Sequence, residues 1–229
     1  MEHLELLGTS HISQESVKEI TTKIESGRYD IIAVELDKGR AHALLSEQQN
    51  KIGLSAIFKI GLKGYIFVKI GQFVQQKLGK LVGVAPGCDM KIAMQLAAQK
   101  KLQIALIDQP IQITLKNFSK ELTWRERFRF VGEIFRGFFS QKKQMKLLGI
   151  EKFDLRKVPA SEIIDKMVAS LRGRYPSVYK TLIEDRNKYM VKRLVKILRK
   201  YPEKRVLGVV GAGHLQGMKE LLLKVDVVR

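Results

Sequence analysis

Gly8-Thr9-Ser10-His11 near the start of the chain and Gly211-Ala212-Gly213-His214 near its end share one pattern, Gly-x-x-His. Each pattern follows a short apolar run that predicts a β-strand, at 4–7 and 206–210, and precedes sequence that predicts a helix, at 13–26 and 215–223. If both strands lie parallel in one sheet, both histidines emerge at its carboxyl edge, where open α/β sheets bind ligands. The repeated context therefore predicts an α/β fold with a mainly parallel sheet, in which His11 and His214 meet.

Length and composition predict a single domain over 1–229. A chain of 229 residues with 45% hydrophobic content can bury one sizeable core. The single cysteine, Cys88, excludes an intramolecular disulfide framework, and we expect it to be a packed residue in a reducing, cytoplasmic setting. Glu2 and Glu5 interrupt the first apolar run, so we expect no signal peptide. No uncharged apolar run reaches the roughly 18 residues of a membrane-spanning helix.

The formal net charge of +19 favours an anionic partner. Solvated lysine faces on amphipathic helices are the alternative explanation of this charge. The sequence contains no zinc finger, no aromatic RNP-like strand and no Gly-x-x-Gly clamp, so we do not expect nucleic acid as a partner.

The segment 52–82 combines apolar residues at helical spacing with lysines and repeated glycines. Three interpretations are open: a helix on an anionic membrane surface, a helical arm that covers a site, and a homodimer contact. Each glycine weakens a free helix by about 1 kcal/mol, which favours the arm and the dimer contact over the membrane interpretation. A peripheral membrane location remains an alternative to a purely cytoplasmic one.

Two further predicted strands, at 30–36 and 103–107, end next to carboxylates, Glu35 and Asp108. A buried carboxylate without a partner costs several kcal/mol or becomes protonated, so Glu35 requires a partner. Either Glu35 forms a structural ion pair with Arg40, or it belongs to a functional site at the sheet edge.

A long helix predicted over 177–200 carries polar residues on its apolar side. At about 100° per residue, Glu184 and Asn187 fall on the side of the apolar stripe, and Arg186 lies at its border. Either this is a satisfied buried polar pair or the side chains face a site at the sheet edge. Helices are also predicted at 40–49, 89–100, 142–148 and 160–171, and Thr123-Trp124-Arg125-Glu126 is a capping box.

Six blocks, in this order and spacing, resemble the TraB/PrgY family over nearly the whole chain. They are Gly8-Thr9-Ser10-His11, Val34-Glu35-Leu36 with Arg40, Pro86-Gly87-Cys88-Asp89-Met90, Ile107-Asp108 with Ile113-Thr114-Leu115, Glu184-Asp185-Arg186-Asn187 with Met190, and Val210-Gly211-Ala212-Gly213-His214. The resemblance implies a fold related to the erythromycin esterase and ChaN-like proteins, and kinship with the metal-dependent TIKI proteases. PrgY-type members are associated with the shutdown of a secreted peptide pheromone.

The resemblance also implies site residues. His11 and His214 match the paired histidines, Glu35 and Arg40 match the strand-end glutamate and the arginine after it, and Glu184, Arg186 and Asn187 match the helical block. The chain departs from the usual pattern at two positions: Asp89 stands where glutamate is usual, and Gln109 stands where arginine is usual.

These residues support the hypothesis of a divalent-metal hydrolase that acts on peptides. His11, His214 and Glu35 would provide three metal ligands and leave a position open for water. Zinc, manganese, cobalt and iron(II) all suit this ligand set.

The other site residues would act on the reaction itself. Glu184 or Glu35 would serve as general base, Arg40 or Arg186 would stabilise oxyanion charge, and Asn187 would orient the substrate. The competing hypothesis is a non-enzymatic peptide-binding or regulatory module that has a basic surface for anionic membrane or nucleic acid. Haem binding and a serine mechanism are weaker alternatives.

Overall fold

A computed structural model describes residues 3–9, 14–46, 87–126, 128, 129, 132 and 161–227. Within these residues, four parallel strands form one sheet that has helices packed on both faces. This confirms the predicted α/β class. The segment 52–82, the predicted helix at 142–148 and His11 lie outside the described residues.

Most of the described elements follow the sequence-based prediction, but no helix was predicted at 111–121. The strands are β1 (Leu4–Thr9), β2 (Ile31–Val34), β3 (Gln103–Leu106) and β4 (Val206–Gly211). The helices are α1 (Gln14–Glu25), α2 (Lys38–Leu45), α3 (Cys88–Gln99), α4 (Ile111–Glu121), α5 (Ser161–Arg174), α6 (Pro176–Tyr179), α7 (Asp185–Lys200) and α8 (Ala212–Val227). A π-helical turn, Lys180–Glu184, joins α6 to α7 within the predicted long helix. None of the described helices has both the length and the apolar composition that crossing a bilayer requires.

The strand order is β1-β4-β2-β3, so the strand from the end of the chain lies between the first two strands. Gly8 pairs with Val210, and Thr9 pairs with Gly211. The strands that lead into the two Gly-x-x-His patterns are therefore parallel, as predicted, and they are also neighbours that end at the same level of the sheet. A Cβ added at Gly8 would lie 2.9 Å from Leu215 Cδ2, so this glycine lets α8 approach β1 closely.

Each face of the sheet has its own apolar core. β2 is buried along its whole length, as expected for a strand that is covered on both faces. Ile32 and Val34 pack with residues of α1 and α3, whereas Ile31 and Ala33 pack with residues of α7 and α8. This division follows from the alternation of side chains along a strand. The core that contains Ile31 and Ala33 therefore holds α7 and α8, the helices that carry site residues, against one face of the sheet.

Local signals explain where two helical segments begin. Asp37 caps α2, and its Oδ1 accepts hydrogen bonds from Gly39 N at 2.8 Å and from Arg40 N at 3.1 Å. The predicted capping box is also present. Glu126 N donates to Thr123 Oγ1 at 3.3 Å, and Thr123 N donates to Glu126 Oε2 at 3.1 Å.

Candidate functional site

Charged and polar side chains converge at the carboxyl edge of the sheet. Glu35 follows β2, Asp108 follows β3, and His214 lies in the first turn of α8, directly after β4. Arg186 and Asn187 reach this edge from the first turn of α7. Because parallel strands all end at the same edge, residues distant in sequence meet there. We call these five residues the edge cluster.

Glu35 is a buried carboxylate in the edge cluster, with an exposed fraction of 5%. Its Oε2 accepts a hydrogen bond from the backbone N–H of Gly211 at 2.6 Å. Its Oε1 accepts a hydrogen bond from Arg186 Nη2 and lies 3.3 Å from His214 Nε2. Both oxygens therefore have polar partners, as a buried charge requires.

The imidazole of His214 has a partner at each nitrogen. Nδ1 lies 2.7 Å from Asn187 Oδ1, and Nε2 lies 3.0 Å from Arg186 Nη1. A carboxamide oxygen only accepts and a guanidinium only donates, so these partners assign the neutral tautomer that has its proton on Nδ1. The lone pair of Nε2 is therefore the group that His214 presents to Arg186.

Arg186 connects the acidic groups of the edge cluster. Its Nε donates to Asp108 Oδ1 at 3.1 Å, and its Nη2 contacts both Asp108 Oδ2, at 2.5 Å, and Glu35 Oε1. Burial by itself lowers the pKa of the guanidinium, but the charges of Glu35 and Asp108 outweigh burial and raise that pKa above its ordinary value. Arg186 is therefore a permanent cation at this edge of the sheet.

A second arginine extends the network beyond the edge cluster. Arg40 Nη2 donates to Asp108 Oδ2, and Arg40 Nε donates to Asp37 Oδ2 at 2.7 Å. At this edge of the sheet, Arg186 thus pairs with Glu35 and Asp108, and Arg40 pairs with Asp37 and Asp108. The two strand-end carboxylates, Glu35 and Asp108, share Arg186 as a partner, which the hypothesis of a Glu35–Arg40 pair did not predict.

The sequence comparison assigns this architecture to a family. A model of the TraB/PrgY/gumN family matches residues 2–225, which is nearly the whole chain. The chain belongs to the TraB/PrgY/gumN family. The edge cluster is therefore a feature of a TraB-family chain, and it lies where the two Gly-x-x-His patterns begin.

Individual relatives match the chain over most of its length. An uncharacterized protein of Methanocaldococcus jannaschii is 31% identical over 223 residues, which are 96% of this chain and 53% of that protein. The TraB domain-containing protein of Homo sapiens is 23% identical over 243 residues, which cover 94% of this chain and 61% of the human protein. This TraB-family chain thus spans between 53% and 61% of the length of these two relatives. Among solved structures, a mutant erythromycin esterase in its open conformation has 13% identity and a TM-score of 0.30, with 91% of this chain and 60% of that chain covered.

Five of the predicted site residues belong to this network. Glu35, Arg186, Asn187 and His214 lie in the edge cluster, and Arg40 joins it through Asp108. His11 lies outside the described residues, so its contact with His214 stays a prediction.

Glu184 does not face the edge cluster, so the inward orientation predicted for it is wrong. Its side chain is 42% exposed, and Oε1 binds Lys188 Nζ at 2.5 Å. Glu184 ends the π-helical turn, where hydrogen bonds run from residue i to i+5. A helical wheel gives the direction of a side chain around the axis but not whether another element covers it, and Glu184 lies one residue before α7, whereas Asn187 lies within α7 and is buried as predicted.

Three residues complete the network although they were not predicted as site residues. Asp108 and Asp37 each had a signal in the sequence, one as the residue after a strand and the other as the N-cap of a helix. Gly217 had none. A Cβ added there would lie 2.5 Å from Asn187 Nδ2, and only the packing of α8 against α7 creates that constraint.

The two departures from the usual family pattern are both buried and hydrogen-bonded. Asp89 Oδ2 accepts a hydrogen bond from Thr9 Oγ1 at 2.5 Å, which joins α3 to the end of β1. Gln109 Nε2 donates to Thr114 Oγ1 at 3.0 Å, which ties Gln109 to α4. Burial raises the pKa of the neighbouring Cys88 thiol, and this favours a packed residue over a nucleophile.

The edge cluster contains one pair of donor atoms that suits a divalent metal. Two ligands at about 2.1 Å from a tetrahedral zinc ion are about 3.4 Å apart, and His214 Nε2 and Glu35 Oε1 are 3.3 Å apart. Among the described residues, no group of three His, Cys, Asp or Glu side chains forms a complete metal site. Both donor atoms contact Arg186. The pair therefore fits a metal in spacing and chemistry, on condition that Arg186 releases it.

Proposed function

We propose that this chain is a divalent-metal-dependent hydrolase that cleaves peptides or proteins. The observation that carries the proposal is the buried pair of His214 and Glu35 at the carboxyl edge, with Nε2 and Oε1 3.3 Å apart. Asn187 and the backbone N–H of Gly211 hold these two side chains in place. The substrate class comes from the resemblance to the TIKI metalloproteases.

His214, Glu35 and His11 would hold the metal in this proposal, and zinc, manganese, cobalt and iron(II) are the candidates. A divalent ion bound there would lower the pKa of a water ligand and polarise the scissile carbonyl. Asn187 contributes by keeping the proton of His214 on Nδ1. Nε2 is thereby left unprotonated, as an imidazole ligand must be.

The remaining charged residues have distinct tasks. Of the two carboxylates predicted as general base, Glu35 lies in the edge cluster, whereas Glu184 is bound to Lys188. Because Glu35 is a metal ligand in this proposal, proton transfer falls to Glu184, which must first leave Lys188 and turn toward the edge cluster. Arg186 and Arg40 place positive charge where an oxyanion would develop.

Metal content and peptide cleavage of alanine variants test this proposal. We expect the wild-type chain to retain a divalent metal and to cleave members of a peptide library, and we expect His11→Ala and His214→Ala to lose both properties. His42→Ala is the matched control, because His42 is exposed on α2 and lies outside the edge cluster. Wild-type metal content and wild-type cleavage in both His11→Ala and His214→Ala would contradict the proposal.

A non-enzymatic peptide-binding module is the second candidate, and the exposed basic face of α7 favours it. Lys192, Lys196 and Arg199 are exposed and line a groove of about 500 Å³ between α7 and α8 together with apolar residues. Such a surface would bind an acidic peptide or an anionic membrane, with 52–82 as a further contact or as a homodimer contact. Binding of peptide without cleavage and without metal would support this candidate.

A further inference from the structure

Arg186 occupies the position from which a metal would reach both donor atoms of the edge cluster. Its Nη1 lies 3.0 Å from His214 Nε2, and its Nη2 donates to Glu35 Oε1. These are the two atoms that lie 3.3 Å apart and that the proposed metal would require. One planar guanidinium thus uses the lone pairs of both prospective ligands.

A metal ion and this guanidinium are mutually exclusive partners of the donor pair. A lone pair on Nε2 cannot bind a metal while it accepts a hydrogen bond from Arg186. The two cations would also repel one another strongly at such short distance in a site with little water. The Arg186 side chain is only 14% exposed, so the solvent screens this repulsion weakly.

The contacts of Arg186 provide a way to release the donor pair without leaving the site. Arg186 binds Asp108 at two points, through Nε at 3.1 Å and through Nη2 at 2.5 Å. Its Nη1 also donates to the carbonyl oxygen of Leu182 at 3.2 Å, within the π-helical turn. If the guanidinium kept its Nε contact with Asp108 and turned both Nη groups away, Glu35 and His214 would be free, while Asp108 would still neutralise the arginine.

We propose that Arg186 is the resident counter-ion of the metal-free site, and that a divalent metal binds only when Arg186 releases Glu35 and His214. This proposal rests on the proposed metal-dependent function and adds a regulatory step to it. Arg186 stabilises the metal-free chain by compensating two buried carboxylates. The same contacts lower the affinity of the site for metal.

Calorimetric titration of the full chain with Zn²⁺ and with Mn²⁺ tests the proposal. We expect Arg186→Gln to bind metal at least about tenfold more tightly than the wild-type chain, because the variant removes the repulsion between the two cations. Arg40→Gln is the matched control, because it removes the same charge from the same aspartate but leaves the donor pair untouched. Its affinity should change by no more than about threefold, since Arg40 is partly exposed.

Thermal unfolding gives a second measurement that does not depend on activity. Metal-free Arg186→Gln should unfold at a lower temperature than the wild-type chain, and saturating Zn²⁺ should raise its midpoint by more than it raises that of the wild type. If Arg186→Gln does not fold, Arg186→Lys serves in its place. Lysine keeps the charge but cannot bridge Asp108, Glu35 and His214 with one planar group, so it should also bind metal more tightly.

The outcomes separate this inference from the proposed function. Equal metal affinities in wild type, Arg186→Gln and Arg40→Gln would overturn the inference and leave the metal site standing. Equal gains in both variants would likewise overturn it, because a general charge effect would then explain them. No metal binding in wild type, Arg186→Gln or Arg186→Lys would overturn the proposed function together with the inference.

Discussion

Gly217 lies where α8 passes the side chain of Asn187, and this contact determines how His214 is oriented. A Cβ at Gly217 would come within 2.5 Å of Asn187 Nδ2. The carboxamide cannot move aside freely, because its Oδ1 is the partner of His214 Nδ1. Gly217 is therefore a positioning residue for the imidazole.

We predict that Gly217→Ala weakens metal binding by about tenfold and changes the imidazole tautomer populations measured by ¹⁵N NMR. Gly213→Ala is the matched control on the same helix, because among the described residues its Cβ would meet only Val168 Cγ2, at 4.0 Å. The control should retain the wild-type tautomer and gain up to about 1 kcal/mol of stability from helix propensity. Identical NMR spectra for His214 in both variants would contradict this role of Gly217.

Asp37 combines a helix cap with an ion pair, and its titration predicts how stability depends on pH. Burial works to raise the pKa of Asp37, but hydrogen bonds from Arg40 and Gly39 outweigh burial and lower it below its ordinary value. A carboxyl whose pKa is lower in the folded chain contributes stability above its unfolded pKa of about 3.9. That contribution disappears as the pH falls through the folded pKa.

We therefore expect Asp37→Asn to reduce the free energy of unfolding at pH 7 and to flatten its decline below about pH 4. Asp37→Ala also removes the helix cap, and the loss of the cap should lower the free energy of unfolding by a further amount of about 1–2 kcal/mol. Urea unfolding between about pH 3 and pH 7 measures both variants. Asp165→Asn, an exposed change on α5, is the control. A wild-type pH profile in Asp37→Asn would exclude the assigned pKa shift.

At the scale of elements, α7 shows where helical periodicity is a sound guide and where it is not. Beyond the π-helical turn, the predicted apolar stripe is correct, and Asn187, Met190, Val191 and Leu194 are buried. One residue before α7, Glu184 is exposed and contacts Lys188 one helical turn further along instead of the edge cluster. The π-helical turn provides the Leu182 carbonyl that Arg186 contacts. The irregular turn thus helps to hold Arg186 in the edge cluster.

The packing of α7 on the sheet makes a quantitative prediction. Leu194 is completely buried in the core between the sheet, α7 and α8. Leu194→Ala should lower the free energy of unfolding by about 2–5 kcal/mol, because it removes apolar contacts and leaves a cavity. Lys196→Ala, on the exposed face of the same helix, should change it by less than about 0.5 kcal/mol. Equal effects in urea unfolding would show that α7 is not packed as described.

At the scale of the whole molecule, the net charge of +19 predicts salt-sensitive binding to anionic surfaces. We expect the chain to sediment with phosphatidylserine vesicles at about 50 mM salt and to be released near 500 mM, where charges are screened within a few ångströms. Charge reversal at Lys192, Lys196 and Arg199 should weaken sedimentation, and deletion of 52–82 measures the contribution of that segment. Binding that does not respond to salt would contradict an electrostatic origin.

Local sequence patterns were sufficient to predict the order and type of the described elements except α4, which was not predicted. Strand-forming runs, helical stripes and capping residues act over a few neighbouring positions. The secondary structure that they produce can therefore be predicted from short stretches of sequence. The repeated Gly-x-x-His context also indicated that β1 and β4 would present their ends at one edge, and the register of Gly8 with Val210 agrees with this. That context predicted His214 as a site residue, the end of a buried strand predicted Glu35, and the helical wheel with the family resemblance predicted Arg186 and Asn187.

The pairing of these residues follows from the tertiary structure. Arg186 rather than Arg40 binds Glu35, because the strand order places the ends of β2 and β4 beside α7. Gly217 matters for the same reason, since its constraint exists only once two helices are packed together. Such pairings depend on how elements that are far apart in the chain are placed relative to one another, to within a few tenths of an ångström. Local sequence patterns carry no information about that placement.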